Sequence, residues 1–262
     1  MKFLSGRIWA VIIALLLFSL IYFTFSTVGP PKSPQSSAGV VNKSIQAPSL
    51  TQVEQDAMAN LSKDSVEIVK GLMKQTASGN SSMAISNLKT LSGLWYRKGN
   101  YLLAGIYAAQ VAQSENTAAA WNIAGSTFLT GLTQNVGEQN RQYIADEAIK
   151  AFDQAVKLDE SNIDYKVNRA SVYAEVPPAD NPMEGIMQLL ELNKANPDNI
   201  TVLLVLGKLG LKTGQYAKVV DRLEKVLSLA PDNTDAICML AIAYKGVGNM
   251  PKATEMEARC KK

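Results

Sequence analysis

Apolar positions along this chain follow two patterns: one unbroken block near the N-terminus and, beyond residue 50, apolar residues spaced three and four apart. The block from Ile8 to Val28 holds 21 residues without a charge. As a helix rising 1.5 Å per residue it would span about 31 Å, the thickness of a bilayer's hydrocarbon core. It exceeds the roughly 7–15 apolar residues of a cleavable secretory signal, and no Ala-x-Ala follows it, so the pattern predicts one uncleaved transmembrane signal anchor over 8–28. Lys2 and Arg7 precede the block, whereas Lys32 and Lys43 are spread over the flank beyond it. The positive-inside rule then puts residues 1–7 in the cytoplasm and the remainder outside, which for an inner-membrane protein is the periplasm.

Residues 29–50 are rich in Pro, Ser and Gln and lack an apolar stripe, so they are expected to form a flexible linker with a reach of roughly 25 Å. Over 51–80 an approximate stripe of Val53, Ala57, Leu61, Val66, Val69 and Leu72 predicts an N-terminal helix. Such a helix would cover the core edge of whatever follows; a short coiled-coil dimer is the alternative.

From about residue 85 onward the helical spacing itself repeats. Asn196-Pro197-Asp198-Asn199 and Ala230-Pro231-Asp232-Asn233 lie 34 positions apart. Leu203, Leu206, Gly207 and Gly214 align with Ile237, Leu240, Ala241 and Gly248, and Val219 aligns with Ala253. Gly214 and Gly248 predict turns between paired helices, the prolines mark helix stops, and Asn199 and Asn233 suit N-caps. The period is one helical hairpin.

A 34-residue hairpin with this placement of large, small and aromatic positions resembles the tetratricopeptide repeat. Trp121, Ala124, Gly125 and Phe128 occupy that family's first-helix positions, and Ala148, Phe152 and Ala155 its second-helix positions, with Glu160 where the closing Pro is usual. Leu88, Leu91, Ser92, Trp95, Gly99, Tyr101 and Ala104 fit an earlier repeat, and Ala170 with Tyr173 begins another. Five hairpins result, near 85–117, 118–162, 163–199, 200–233 and 234–262. Arg169 and Gly210 depart from the pattern where bulk is usual, and Glu257 stands at a normally apolar position.

Two hairpins exceed the period. In the second, Ala148 falls 11 residues late, which extends both helices around Val136-Gly137. In the third, three added residues let Asn181 cap a helix that begins at Pro182, with Glu184 completing a capping-box-like pair. A partner-specific surface and simple loop variation are both open readings of these protrusions.

The resemblance implies an all-α solenoid of stacked hairpins over 81–262, whose concave groove binds a protein or peptide. Carried over, the groove-lining positions are Asn122, Ser126, Leu129, Asp164, Val167, Ser171, Thr201, Leu204, Lys208, Leu211 and Lys212. Membrane-anchored proteins of similar layout assist protein export at the translocon, cytochrome c maturation and envelope assembly. Export or envelope assembly leads here because no haem-handling feature is present; a structural subunit of a stable membrane complex is a further reading.

Composition narrows the chemistry. Of 26 basic residues, Lys2 and Arg7 precede the anchor; the other 24 are nearly balanced by 23 acids, which argues against nucleic-acid binding. Histidine is absent, removing the commonest general base and zinc ligand. Ser86-Asn87-Leu88-Lys89 and Lys212-Thr213-Gly214 mimic two motifs of serine penicilloyl-binding enzymes, but no Ser-Asp-Asn lies between them and the second falls in a predicted turn. No nucleophile elbow, phosphate loop or dinucleotide fingerprint occurs, so a non-enzymatic chain without metal or cofactor is expected. Cys238 and Cys260 match no metal spacing. Cys238 follows the core position Ile237 and should face the groove, so two separate thiols are expected, with a disulfide as the alternative.

Overall fold

The computed structural model describes residues 49–78, 81–134 and 138–261. The expected anchor over 8–28, nearly all of the expected linker, and the hairpin tip at Val136-Gly137 lie outside them. Among the described residues no helix is long and apolar enough to cross a membrane. They form twelve helices and contain no strand.

The region expected as one N-terminal helix is two, α1 (Leu50–Met58) and α2 (Lys63–Ser78). The break falls where short polar side chains take over backbone groups. Asn60 donates to the Asp56 carbonyl, and the Ser62 hydroxyl accepts from the Ser65 amide at 3.3 Å, starting the second helix. Val69 of α2 is fully buried in the first hairpin's core, beside Leu88, Leu91 and Trp95. On α1, Val53 packs into the cores of the first two hairpins, and buried Glu54 accepts a hydrogen bond from the Tyr107 hydroxyl. Burial first, and then this bond to a carboxylate, raise the Tyr107 pKa far above the ordinary phenol range.

Ten helices follow as five antiparallel pairs. They are α3 (Ser81–Arg97) with α4 (Tyr101–Glu115), α5 (Ala118–Thr133) with α6 (Glu138–Leu158), α7 (Ile163–Glu175) with α8 (Glu184–Ala195), α9 (Ile200–Lys212) with α10 (Tyr216–Leu229), and α11 (Thr234–Gly246) with α12 (Met250–Cys260). Local chemistry sets their ends. Gly99, Gly214 and Gly248 take φ of 74°, 69° and 78°, which L side chains resist. This lets the next residue's amide close on a carbonyl five positions back, as Gln215 does on Gly210 and Asn249 on Tyr244, both at 2.8 Å. Asn199 and Asn233 cap α9 and α11 by accepting from Val202 and Ala236 at 2.9 and 2.8 Å.

Packing across the first two hairpins inserts rings over missing side chains. A Cβ on Gly105 would lie 2.4 Å from the Phe128 ring, and one on Gly125 would lie 2.7 Å from Phe152, so α4, α5 and α6 approach closely. The second hairpin has the longest described helix, the 21-residue α6, against 14 residues in α10. Arg141 near its start donates to the carbonyls of Leu132 at 3.0 Å and Glu175 at 2.8 Å. One cation thereby meets the negative ends of both α5 and α7.

In the third hairpin α8 begins at Glu184, not Pro182, and Asn181 pairs with the Glu184 side chain instead of capping a backbone amide. Gly185 explains the tight entry, because its Cβ would lie 2.4 Å from the Ala174 nitrogen. The departures from the family pattern have partners too. Arg169 pairs with Asp153 at 2.9 Å, a Cβ on Gly210 would sit 2.5 Å from Val219, and Glu257 pairs with Lys245.

Cys238 and Cys260 are joined by a disulfide with a Cα–Cα distance of 5.0 Å, correcting the expectation of two separate thiols. The rotation of Cys238 about α11 is only half of the geometry. In an antiparallel pair the end of α12 returns beside the start of α11, which brings Cys260 within reach.

Candidate protein-binding groove

From α5 to α11 each first helix of a pair packs on the next, so their faces away from the second helices form a continuous surface. A concavity of about 310 Å³ crosses it, lined by Ser126, Leu129 and Thr130 of α5, Asn168, Ser171 and Glu175 of α7, and Val205, Lys208 and Leu209 of α9. Two of the hydroxyl protons are already engaged: Thr130 donates to the Ser126 carbonyl and Ser171 to that of Val167, both at 2.8 Å. The lining therefore offers less donor capacity than its composition suggests. Asn168 donates to the Asn122 side chain at 3.0 Å along one edge, and Lys212 is 2.5 Å from Glu175 at the end of α7. A neighbouring depression of about 360 Å³ is lined by Leu204, Val205 and Lys208 of α9 with Asp235, Cys238 and Met239 of α11. Exposed Lys208 belongs to both.

The 34-residue period, the Asn caps, the left-handed glycine turns and this succession of first helices together decide the architecture. The helix pairs are hairpins of the kind that the resemblance to the tetratricopeptide repeat implies. In three dimensions the repeat unites Ser126, Leu129, Ser171 and Lys208 in one hollow and Leu204 with Lys208 in the next, while Asn122 and Lys212 are held by the side-chain pairs just described. Val167 is a correction. It is fully buried with Ala170, Leu189, Val202 and Leu206, because it stands one turn before the core position Ala170 on the same helix face. Leu211 packs against the core of the last two hairpins. Asp164 and Thr201 lie in the first turns of their helices and line neither hollow.

Several lining residues escape the sequence reading. Thr130 and Glu175 follow Ser126 and Ser171 by four, a signal the helical spacing already carries. Val205, Leu209, Asp235 and Met239 become groove residues only through the angle at which neighbouring hairpins pack. A third and larger hollow, about 610 Å³ between α3 and α5, involves a hairpin to which no groove position was assigned.

Among the described residues there is no group of three or more His, Cys, Asp or Glu placed to hold a metal ion. No family model matches the sequence, and no curated protein matches it. Among solved structures the chain is similar to MamA, with 17% identity, a TM-score of 0.41, and coverage of 67% of this chain and 89% of that one. It is also similar to MamA 41-end from Desulfovibrio magneticus RS-1, at 16% identity and a TM-score of 0.42 over 70% of this chain and 94% of that one. A third similar structure is YrrB, described as a TPR protein with an unusual peptide-binding site, at 15% identity and a TM-score of 0.38, over 73% and 91%.

Proposed function

We propose that this chain is a non-enzymatic, membrane-anchored scaffold whose tetratricopeptide groove binds segments of other proteins on the extracytoplasmic side, in protein export or envelope assembly. The observation that carries the binding reading is the surface shared by α5, α7, α9 and α11. Its two adjoining hollows are lined by half-exposed Leu129, Leu204 and Val205, with exposed Lys208 between them. Apolar walls with a few fixed polar groups suit a polypeptide ligand.

The location is supported by two independent features. The uncharged run 8–28 follows Lys2 and Arg7, and the Cys238–Cys260 disulfide belongs to the kind of bond that persists in oxidising compartments. Site-specific photocrosslinking from position 205, which lines both hollows, in the membrane-bound protein tests the groove. Leu204→Glu combined with Lys208→Glu is expected to remove the crosslinked partners while the circular dichroism spectrum stays unchanged; retention of the same partners overturns the groove reading. Labelling of the C-terminus on the cytoplasmic side of sealed vesicles overturns the location.

A further inference from the structure

Between α3 and α5 the first helices part. From α5 onward each first helix packs on the next, but α3 and α5 hardly touch. The gap is a slot of about 610 Å³ with Ala108 and Val111 of α4 and Ala120 of α5 at its base. Its walls carry Tyr96 and Ile123, which are 46% and 60% exposed. Two large apolar side chains left in water around a base of small ones form a concave apolar patch with its filling missing. The polar groups nearby add little donor capacity: Ser92 donates to the Ala104 carbonyl at 2.9 Å and Thr127 to that of Ile123 at 2.7 Å.

The rim is charged unevenly. Lys89 is neutralised by Glu115 at 2.6 Å. Arg97 is exposed and has no carboxylate partner among the described residues; its guanidinium lies over the slot wall, 3.4 Å from where a Cβ on Gly93 would stand. One unneutralised cation therefore borders an apolar cavity.

We propose that this slot receives a Leu- or Phe-sized side chain from a partner polypeptide that carries a carboxylate within a few residues, the carboxylate meeting Arg97. The proposal rests on the protein-binding reading and names ligand chemistry for a separate part of the same surface. Charge separates this occupant from the chain's own segment 29–48, which offers Val40, Val41 and Ile45 but would bring Lys32 and Lys43 to Arg97. On a second copy, exposed Ile242, Val247 and Met250 stand beside Lys245 and Lys252, whose charges Glu257 and Glu224 already balance. Exposed Leu158, beside Asp159 and Glu160, is the second copy's competing segment, and sedimentation tests it.

The test uses full-length protein in detergent and fluorescein-labelled peptides with a central Leu-Phe pair, flanked in one set by Asp and Glu and in the other by Lys. Fluorescence anisotropy should show the acid-flanked set binding at least about tenfold tighter, the scale expected when a repulsive charge beside Arg97 is exchanged for an attractive one. Ile123→Glu should abolish that binding. Gly93→Leu, which fills the slot without adding charge and favours the helix, should do the same, and Arg97→Glu should reverse the preference. Lys218→Glu, exposed on α10 and outside both the slot and the groove, should leave it unchanged. Equal binding of the two peptide sets, or binding indifferent to both Ile123→Glu and Gly93→Leu, overturns the proposal. So does sedimentation showing a dimer that Ile123→Glu dissociates, because a second copy is then the occupant. If the slot fails while the crosslinks from position 205 still depend on Leu204 and Lys208, the scaffold reading stands and the slot proposal alone falls.

Discussion

The second hairpin, α5–α6, and the last, α11–α12, carry the same repeat signature and both pack a ring over a glycine, but they differ in what is added to that interface. The second lies between neighbours and is irregular in length. Its order comes from interfaces: Phe128 over Gly105, Phe152 over Gly125, and Arg141 bridging the ends of α5 and α7. The last keeps the 34-residue period and, among the described residues, has a neighbour on one side only. It has an interface of the same kind, Tyr216 over Gly246, and adds local ties: Asn caps at both helix starts, the Cys238–Cys260 disulfide, and Arg259 donating to the Pro231 carbonyl at 2.7 Å. Glu257, misplaced by the family pattern, pairs with Lys245 where no further hairpin follows among the described residues. Stacked repeats share a core, so an interior unit can lean on its neighbours while a terminal unit needs its own fastenings.

Substitutions that remove one kind of tie at a time sharpen this contrast. The largest effect is expected for Phe152→Ala in the second hairpin. Phe152 is fully buried against Gly125, and its loss should cost about 3–5 kcal/mol by urea unfolding. A cost below about 1 kcal/mol would show that the ring-over-glycine interface is not what orders this hairpin.

Next comes Cys238→Ser. Opening the loop between residues 22 positions apart should cost about 3 kcal/mol, and hydrogen exchange should rise first in α11 and α12. Exchange rising equally throughout would mean that the terminal unit is not separately fastened. Asn233→Ala removes the acceptor for the Ala236 amide and should cost about 1 kcal/mol, again concentrated in the last hairpin.

The smallest effect concerns pH. The Tyr244 hydroxyl and then the Lys252 ammonium hold the Glu224 carboxyl below its ordinary value of 4.5. A depressed folded pKa contributes stability that is present above pH 4.5 and lost as pH falls through the folded value. Glu224→Gln should therefore flatten the acid limb of a thermal-stability profile while changing neutral-pH stability by only about 0.5 kcal/mol, because the pair is half exposed. An unchanged acid limb would remove this cluster from the terminal fastenings.

The same contrast explains what was legible. Asn199, Asn233, Gly214 and Gly248 are readable because caps and left-handed turns depend on a few adjacent residues. The core faces Leu203, Leu206, Ile237 and Leu240 are readable because helical spacing places them without reference to a partner. The groove is less so. Ser126, Leu129, Ser171, Leu204 and Lys208 meet as the repeat implies, but Val167 turns inward on the face it shares with Ala170, and Val205, Leu209 and Met239 enter the lining where neighbouring first helices meet.

By itself, then, the sequence determined the helical hairpins, their turns and caps, and the order in which they stack, since these follow from contacts within about one turn and from a period repeated along the chain. Tertiary structure alone decided the closure of Cys238 on Cys260 and the opening between α3 and α5. Each depends on the distance and angle between elements far apart in sequence, and hydrophobic spacing fixes neither.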